Sequence, residues 1–156
     1  MALLYPLKNW VITSPYGDRI HPIHKVVKFH NGIDISSSVG TPLMAPDDAT
    51  VIKSYSNSTG GKQIILEHPN GFKTGYAHLN DTLVKVGDQI KRGDIFAHTG
   101  NTGASTGPHL HFTVRKDNVL VDPESVAFTH SKKKTYLALL VIAVVITAYL
   151  TYLKKS

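Results

Sequence analysis

No cysteine occurs among the 156 residues, which excludes disulfides and thiolate metal sites and leaves any metal to histidine and carboxylate ligands. Charged residues make up only 18% and hydrophobic residues 42% of the chain; this is neither the composition of a disordered chain nor the length of a multidomain machine. No apolar repeat of helical period precedes position 135, so no amphipathic helix is expected there. The first residues, MALLYPLKNWVITS, lack a basic segment ahead of an uninterrupted apolar core, and no secretory signal is read in them.

What the chain does have is nine histidines and a formal charge of +6. The charge is unevenly placed. Residues 1–131 hold nine Lys and three Arg against eleven acidic residues, a net charge of +1. The remaining excess is Lys132, Lys133, Lys134, Lys154 and Lys155, which bracket one apolar stretch. A nucleic-acid groove is therefore not expected. Between these lysines Thr135–Leu153 runs 19 residues without a charge, Gly or Pro. As a helix it would measure about 28 Å, close to the hydrocarbon thickness of a bilayer. Tyr136, Tyr149 and Tyr152 lie near its ends, where tyrosine rings suit the headgroup region. The expected order is a folded domain over 1–123, a basic polar tether over 124–134, a transmembrane helix over 135–153 and a basic tail over 154–156. The lipid bilayer is an expected partner.

Ahead of the tether, β-rich runs alternate with turn residues. WVITS meets Pro15-Tyr16-Gly17-Asp18, TVIKSYS meets Asn57-Ser58-Thr59-Gly60-Gly61, and QIILEH meets Pro69-Asn70-Gly71 before FKTGYAHL. Asn and Gly tolerate the positive φ of a tight hairpin. The fold class expected is all-β: an antiparallel sheet domain, followed by the single C-terminal helix.

The strongest chemical signal is His109-Leu110-His111 in STGPHLHFTVR. On a strand the two imidazoles share one face while Leu110 and Phe112 take the other. An HxH pair alone is most often two ordinary surface histidines. A second cluster, His30-Asn31-Gly32-Ile33-Asp34, adds an imidazole and a carboxylate around a flexible glycine, and Tyr76-Ala77-His78-Leu79 adds another strand histidine. Two His and one Asp form a ligand set that a catalytic Zn²⁺ uses with an open fourth position. No HExxH glutamate is present to serve as base.

The segments ITSPYGDRIHP, HNGIDIS with GTPLMAP, HPNGFKTGYAHL, VKVGDQIKRGDIFAHTGNTG and STGPHLHFTVR, spread in order over residues 12–123, resemble those of the lysostaphin/LytM-type zinc metalloendopeptidases, which cut peptides of bacterial peptidoglycan. The resemblance implies an antiparallel β domain with a narrow substrate groove and one Zn²⁺ per chain. It implies that His30, Asp34 and His111 bind the metal and that His78 and His109 work beside it as acid–base or oxyanion-stabilising groups. Arg19, Asn31 and Tyr76 lie beside matched motifs and are candidate substrate contacts. Ala45–Thr50 lacks a glycine often found there in such proteins, and Phe96-Ala97-His98 replaces a commoner small apolar run; neither touches the five site residues. His68 is expected to be structural, His98 and His130 to face solvent, and His21 and His24 to border the groove without chemistry.

Two rivals remain at this level. VKVGDQIKRGDIFA also resembles half of a biotinyl or lipoyl carrier domain, but the lysine-tipped hairpin such domains need is missing. A non-catalytic, membrane-anchored module that binds peptidoglycan or regulates a hydrolase is the alternative to an enzyme. A domain with no read signal and a C-terminal span is expected to face the cytoplasm, whereas peptidoglycan lies outside it. A virus particle that acquires its membrane in the host and carries the enzyme to the wall satisfies both; a cellular envelope protein is the other reading. Neighbouring virion or envelope proteins are the further expected partners.

Overall fold

The computed structural model describes residues 2–20 and 26–130. The expected span over 135–153, most of the tether, and His21 and His24 lie outside the described residues, among which no helix is long and apolar enough to cross a membrane. In chain order the strands are β1 (Leu3–Leu4), β2 (Ile12–Ser14), β3 (Gly17–Ile20), β4 (Val27–His30), β5 (Ile33–Ser36), β6 (Pro42–Met44) and β7 (Ala49–Asn57). They continue with β8 (Gly61–Glu67), β9 (Phe72–Thr82), β10 (Gln89–Ile90), β11 (Ile95–Thr99), β12 (His109–Lys116), β13 (Val119–Val121) and β14 (Phe128–Thr129). The described fold is all-β, as its alternating runs and turn residues lead one to expect.

Ten strands form one sheet with the path β10-β7-β8-β9-β12-β5-β2; β11 and β6 continue it beyond β9, and β13 pairs with β12. All of these pairings are antiparallel. The Pro69–Gly71 turn joins β8 to β9 with Asn70 at φ 63° and Gly71 at φ 73°, the left-handed conformations for which those two residues are suited. β12 lies at the centre and shows strict alternation. Leu110, Phe112 and Val114 are fully buried, whereas His109, His111 and Thr113 keep partial exposure on the opposite face. One face of the sheet thus supplies the core, and the other is left for chemistry.

The core is dense with rings: Phe112 and Phe96 both contact Tyr76, at centroid distances of 5.4 and 4.9 Å. Trp10 meets Phe112 edge-on at 5.7 Å, an arrangement favoured by the ring quadrupoles. The folded domain continues past residue 123, where the sequence led one to expect its end. Residues 124–130 are not a free tether, because β14 pairs with β1 in parallel and Phe128 stacks on Tyr5 at 5.3 Å. Arg92 ties down the same corner by donating to the carbonyls of Pro46 and Ala2. His98 does not simply face solvent either: it is half-buried, with Nδ1 2.7 Å from Asp81 Oδ1.

His68 is buried, donating from Nδ1 to the Asp48 carbonyl while Nε2 meets the Thr74 hydroxyl at 2.7 Å. Burial pushes its pKa below the ordinary imidazole value, outweighing the Asp48 carbonyl and the charge of Asp47, which favour protonation. Below about pH 6.5 the unfolded chain therefore takes up a proton at this residue more readily than the folded one. Stability from His68 is complete above that pH and falls on acidification. Denaturation midpoints measured from pH 8 to 5 should show a shallower acid loss in His68→Gln than in the parent; identical slopes would assign the loss elsewhere.

Candidate metal centre and active site

Strand register brings the metal donors together. β12 runs between β5 and β9, and His111 is paired across the strands with Asp34 on one side and Ala77 on the other. Directly opposed residues project to the same face, so the carboxylate and imidazole meet without any loop having to place them. His30 ends β4 and returns to the site through the two-residue turn Asn31-Gly32. Gly32 presses against β12 so closely that a Cβ there would overlap the Phe112 carbonyl oxygen and crowd Thr113. Glycine at this position lets the turn lie flat on the sheet and deliver His30.

The three donor atoms form a small triangle. His111 Nδ1 is 2.9 Å from Asp34 Oδ1 and 3.0 Å from His30 Nε2, and the third side, His30 Nε2 to Asp34 Oδ1, is 3.2 Å. Three donors about 2.0–2.2 Å from one tetrahedral ion would stand about 3.3–3.6 Å apart, so the cluster is only slightly contracted. The outer nitrogens are committed elsewhere. His30 Nδ1 donates to the Pro15 carbonyl at 2.7 Å, and His111 Nε2 donates to the Asn31 side-chain oxygen at 3.1 Å. Both inward nitrogens then present lone pairs to each other and to a carboxylate, an arrangement that needs a cation at its centre. The residues fit Zn²⁺ in number, type and tautomer. Without an ion, a proton on either inward nitrogen can bond to Asp34 instead, and such bonds from His111 and His30 outweigh burial and hold the carboxyl far below the usual carboxylate range. Arg19 adds a contact of 3.4 Å to the other oxygen, Oδ2.

His78 reaches the site by breaking the rule that places the others. From buried Tyr76, simple alternation would send His78 into the core as well. Instead β9 bulges. Lys62 pairs with Leu79 and Ile64 with Tyr76, so Ala77 and His78 together face the single residue Gln63, and His78 adopts φ 60°. The bulge turns the imidazole towards the cleft. His78 Nδ1 donates to the Thr102 carbonyl at 2.7 Å, and His109 Nδ1 to the Gly107 carbonyl at 2.8 Å, which frees Nε2 on each ring. The two rings lie 4.6 Å apart, and His109 Nε2 is 3.7 Å from Asp34 Oδ1. Burial, reinforced by the like charges of His109 and His111, lowers the pKa of His78 despite the Thr102 carbonyl and Asp34. A neutral imidazole is thereby favoured at neutral pH.

These five residues line a cleft of about 390 Å³, whose walls include Arg19, Lys28, Phe29, Asn31 and the segments around Gly60 and Ser105. Among the described residues His30, Asp34 and His111 are the only cluster of three donors able to hold a metal. Comparison with known proteins agrees with this geometry. The family model for Peptidase family M23 matches residues 28–123. The chain belongs to peptidase family M23. Among relatives, peptidoglycan DD-endopeptidase ShyA of Vibrio cholerae is 38% identical over 110 residues, covering 69% of this chain and 26% of that protein. A solved zinc-containing peptidase from Vibrio cholerae superposes with a TM-score of 0.75 at 37% identity, over 83% of this chain and 41% of that one. The catalytic domain of lysostaphin from Staphylococcus simulans gives 0.66 at 33% identity, over 74% and 90%. The chain spans only 26–32% of the length of the curated M23 relatives it matches first.

Of the candidate substrate contacts, Arg19 and Asn31 line the cleft. Tyr76, contrary to expectation, does not: it is 2% exposed, packs between Phe96 and Phe112, and donates its hydroxyl to Thr74. Its place next to Ala77-His78 in the sequence suggested the cleft, but it lies on the core side of the bulge. The carbonyls of Pro15, Thr102 and Gly107, which set the histidine tautomers, carry no side-chain signal that sequence reasoning could use. Ser105, 3.2 Å from His109 Nδ1, was discernible only as the start of the STGPH run.

Zinc content of the purified full chain, measured by elemental analysis, should be one per chain and should be lost in Asp34→Ala and His111→Ala. Full zinc in both variants would overturn the ligand set. Asn31→Ala should bind zinc about 10- to 100-fold more weakly in chelator competition, the usual effect of freeing a ligand histidine's outer nitrogen.

Proposed function

We propose that the domain is a zinc-dependent endopeptidase that hydrolyses peptides of bacterial peptidoglycan. The observation that carries this reading is the pair of free imidazole nitrogens, on His78 and His109, beside a three-donor cluster that opens into a cleft. A module that only binds would have no need of such a pair. When bound, Zn²⁺ supplies Lewis acidity towards a carbonyl oxygen and acidifies water to near neutrality. The protein's share is positioning and proton movement. Asp34, His30 and His111 hold the ion; Pro15 and Asn31 fix the rings of the two histidines. His78 and His109, each held by a carbonyl at Nδ1, can take a proton at Nε2 from the nucleophile, return it to the departing amine, or donate to the developing oxyanion.

Three relatives at 36–38% identity are named peptidoglycan DD-endopeptidases and another, at 38%, a DD-carboxypeptidase/endopeptidase, so a DD bond, in a cross-link first, is the bond to test. The chain's apolar segment 135–153 supports a further reading, that the domain works close to a bilayer. That bilayer is the membrane of a virus particle in the reading we favour and a cell envelope in its rival.

His78→Ala and His109→Ala should keep zinc but lose about 10²- to 10⁴-fold in turnover of purified sacculi; near-normal turnover in either variant would remove that residue from the chemistry. Mass spectrometry of defined cross-linked muropeptides after digestion would identify the new termini, and an intact substrate pool with zinc bound would favour the non-catalytic alternative. For the anchor, the full chain should remain in alkaline-washed membranes, whereas a chain lacking 135–153 should not; equal partitioning would sink the anchor.

A further inference from the structure

The face of the sheet that carries His109 and His111 continues beyond the metal site. Next along β12 come Thr113 and Arg115, paired across to Gly75 and Lys73 on β9. β8 continues the rows with Ile65 opposite Gly75 and Glu67 opposite Lys73, and β7 places Lys53 opposite Ile65. All of these except Glu67 line a second cavity of about 330 Å³, which adjoins the first through the pair His111–Ala77 and its neighbour Thr113–Gly75. Gly75 keeps its floor open, because a Cβ there would come within 2.5 Å of the Thr113 hydroxyl oxygen.

The cavity is cationic in a domain that is nearly neutral. Lys53, Lys73 and Arg115 line it, none of its lining residues is acidic, and Glu67 outside the lining pairs with Lys73 at 3.1 Å. Lys73 also donates to the Asn118 side chain, and Arg115 to the Asn118 carbonyl. These bonds to neutral partners fix the positions of two cations, and the three cations together outnumber the single carboxylate of Glu67. Lys53 is exposed on the opposite rim. The arrangement is that of an anion subsite. Four residues of strand separate His111 from Arg115, about 13 Å, which is the span of about four residues of extended peptide.

We propose that Lys53, Lys73 and Arg115 form a subsite for a carboxylate of the substrate peptide, lying about four residues from the bond at the metal centre. This deepens the peptidoglycan reading and rests on it. An extended peptide lying along the sheet face would place its reacting carbonyl by His78 and His109 and its acidic side chain or terminus over Gly75. A charge-assisted contact there fixes the register of the peptide and discriminates between free and amidated carboxylates.

The test uses the full chain in mild detergent with two matched peptide substrates, one bearing the free carboxylate and one its amide. The parent should bind the acid form about tenfold more tightly in calorimetry, an advantage that shrinks as salt rises. Lys53→Gln and Arg115→Gln should abolish that preference and raise KM for the acid form about tenfold with kcat little changed, while Arg115→Lys restores part of it. Because Arg115 also braces the β12–β13 turn, Lys53→Gln, whose side chain is exposed, guards against a folding artefact. Equal affinity of the parent for both peptides, or equal loss on both in the variants, would overturn the subsite. Charge-selective binding without cleavage would uphold the subsite and defeat the enzyme reading instead. Preference for an anionic polymer or anionic vesicles over the acid peptide, lost in the same variants, would reassign the cavity to a different anion and overturn the proposal.

Discussion

Two imidazole lone pairs and a carboxylate, held 2.9–3.2 Å apart, are the constraint on which the site depends. Such a cluster is unfavourable in isolation, since each group has lost water and faces a like electron pair. It persists because the backbone leaves no alternative. The cross-strand pairing of His111 with Asp34 is part of an antiparallel ladder, and a one-residue slip would send both side chains into the core and expose Phe112. The hydrophobic alternation of β12 therefore guards the ligand geometry: Leu110, Phe112 and Val114 lock the register.

Against this regular background two departures supply what alternation cannot. Gly32 allows a turn to approach the sheet closely enough for His30 to complete the triangle. The bulge at Ala77-His78 makes a histidine of core parity face the cleft, at the cost of a left-handed backbone at a residue with a Cβ. That conformation is held from several sides. His78 N–H donates to the Gly60 carbonyl and its ring to the Thr102 carbonyl, while Gly100 lies so close that a Cβ there would overlap the backbone of Asn80. Strain at one residue is offset by contacts from two separate segments, around Gly60 and over Gly100–Thr102.

This division explains what could be read from the residues. The all-β class, the Pro69–Gly71 hairpin and the shared face of His109 and His111 follow from periods of two residues and from turn chemistry, both local properties. Proximity of His30 to His111 depends on a separation of 81 residues; only resemblance to a family pattern suggested it. Tyr76 was misassigned because nothing in TGYAHL marks where the bulge falls, and the parity of every residue near it turns on that point. The domain end was placed too early because Phe128-Thr129 is a strand of two residues whose partner, Leu3-Leu4, lies at the far end of the chain. Short, distant pairings leave no periodic trace.

The parts of the cleft differ in how they are held, and this bears on specificity. Asp34, His109 and His111 stand on sheet strands fixed by ladder hydrogen bonds on both sides. Arg19, Lys28 and Phe29 stand on the two-stranded ribbon β3–β4, which among the described residues pairs only with itself. Ile20, Val27 and Phe29 on that ribbon are more than half exposed. Few packing contacts oppose a change of residue or of angle in such an element. His30 is the exception that links the two parts, since it ends β4 yet belongs to the ligand triangle. Its Nδ1 bond to Pro15, just ahead of β3, ties the base of the ribbon to the metal site. The base of the ribbon is therefore held in register with the chemistry, whereas Ile20, Val27 and Phe29 beyond it carry few packing contacts that would oppose substitution.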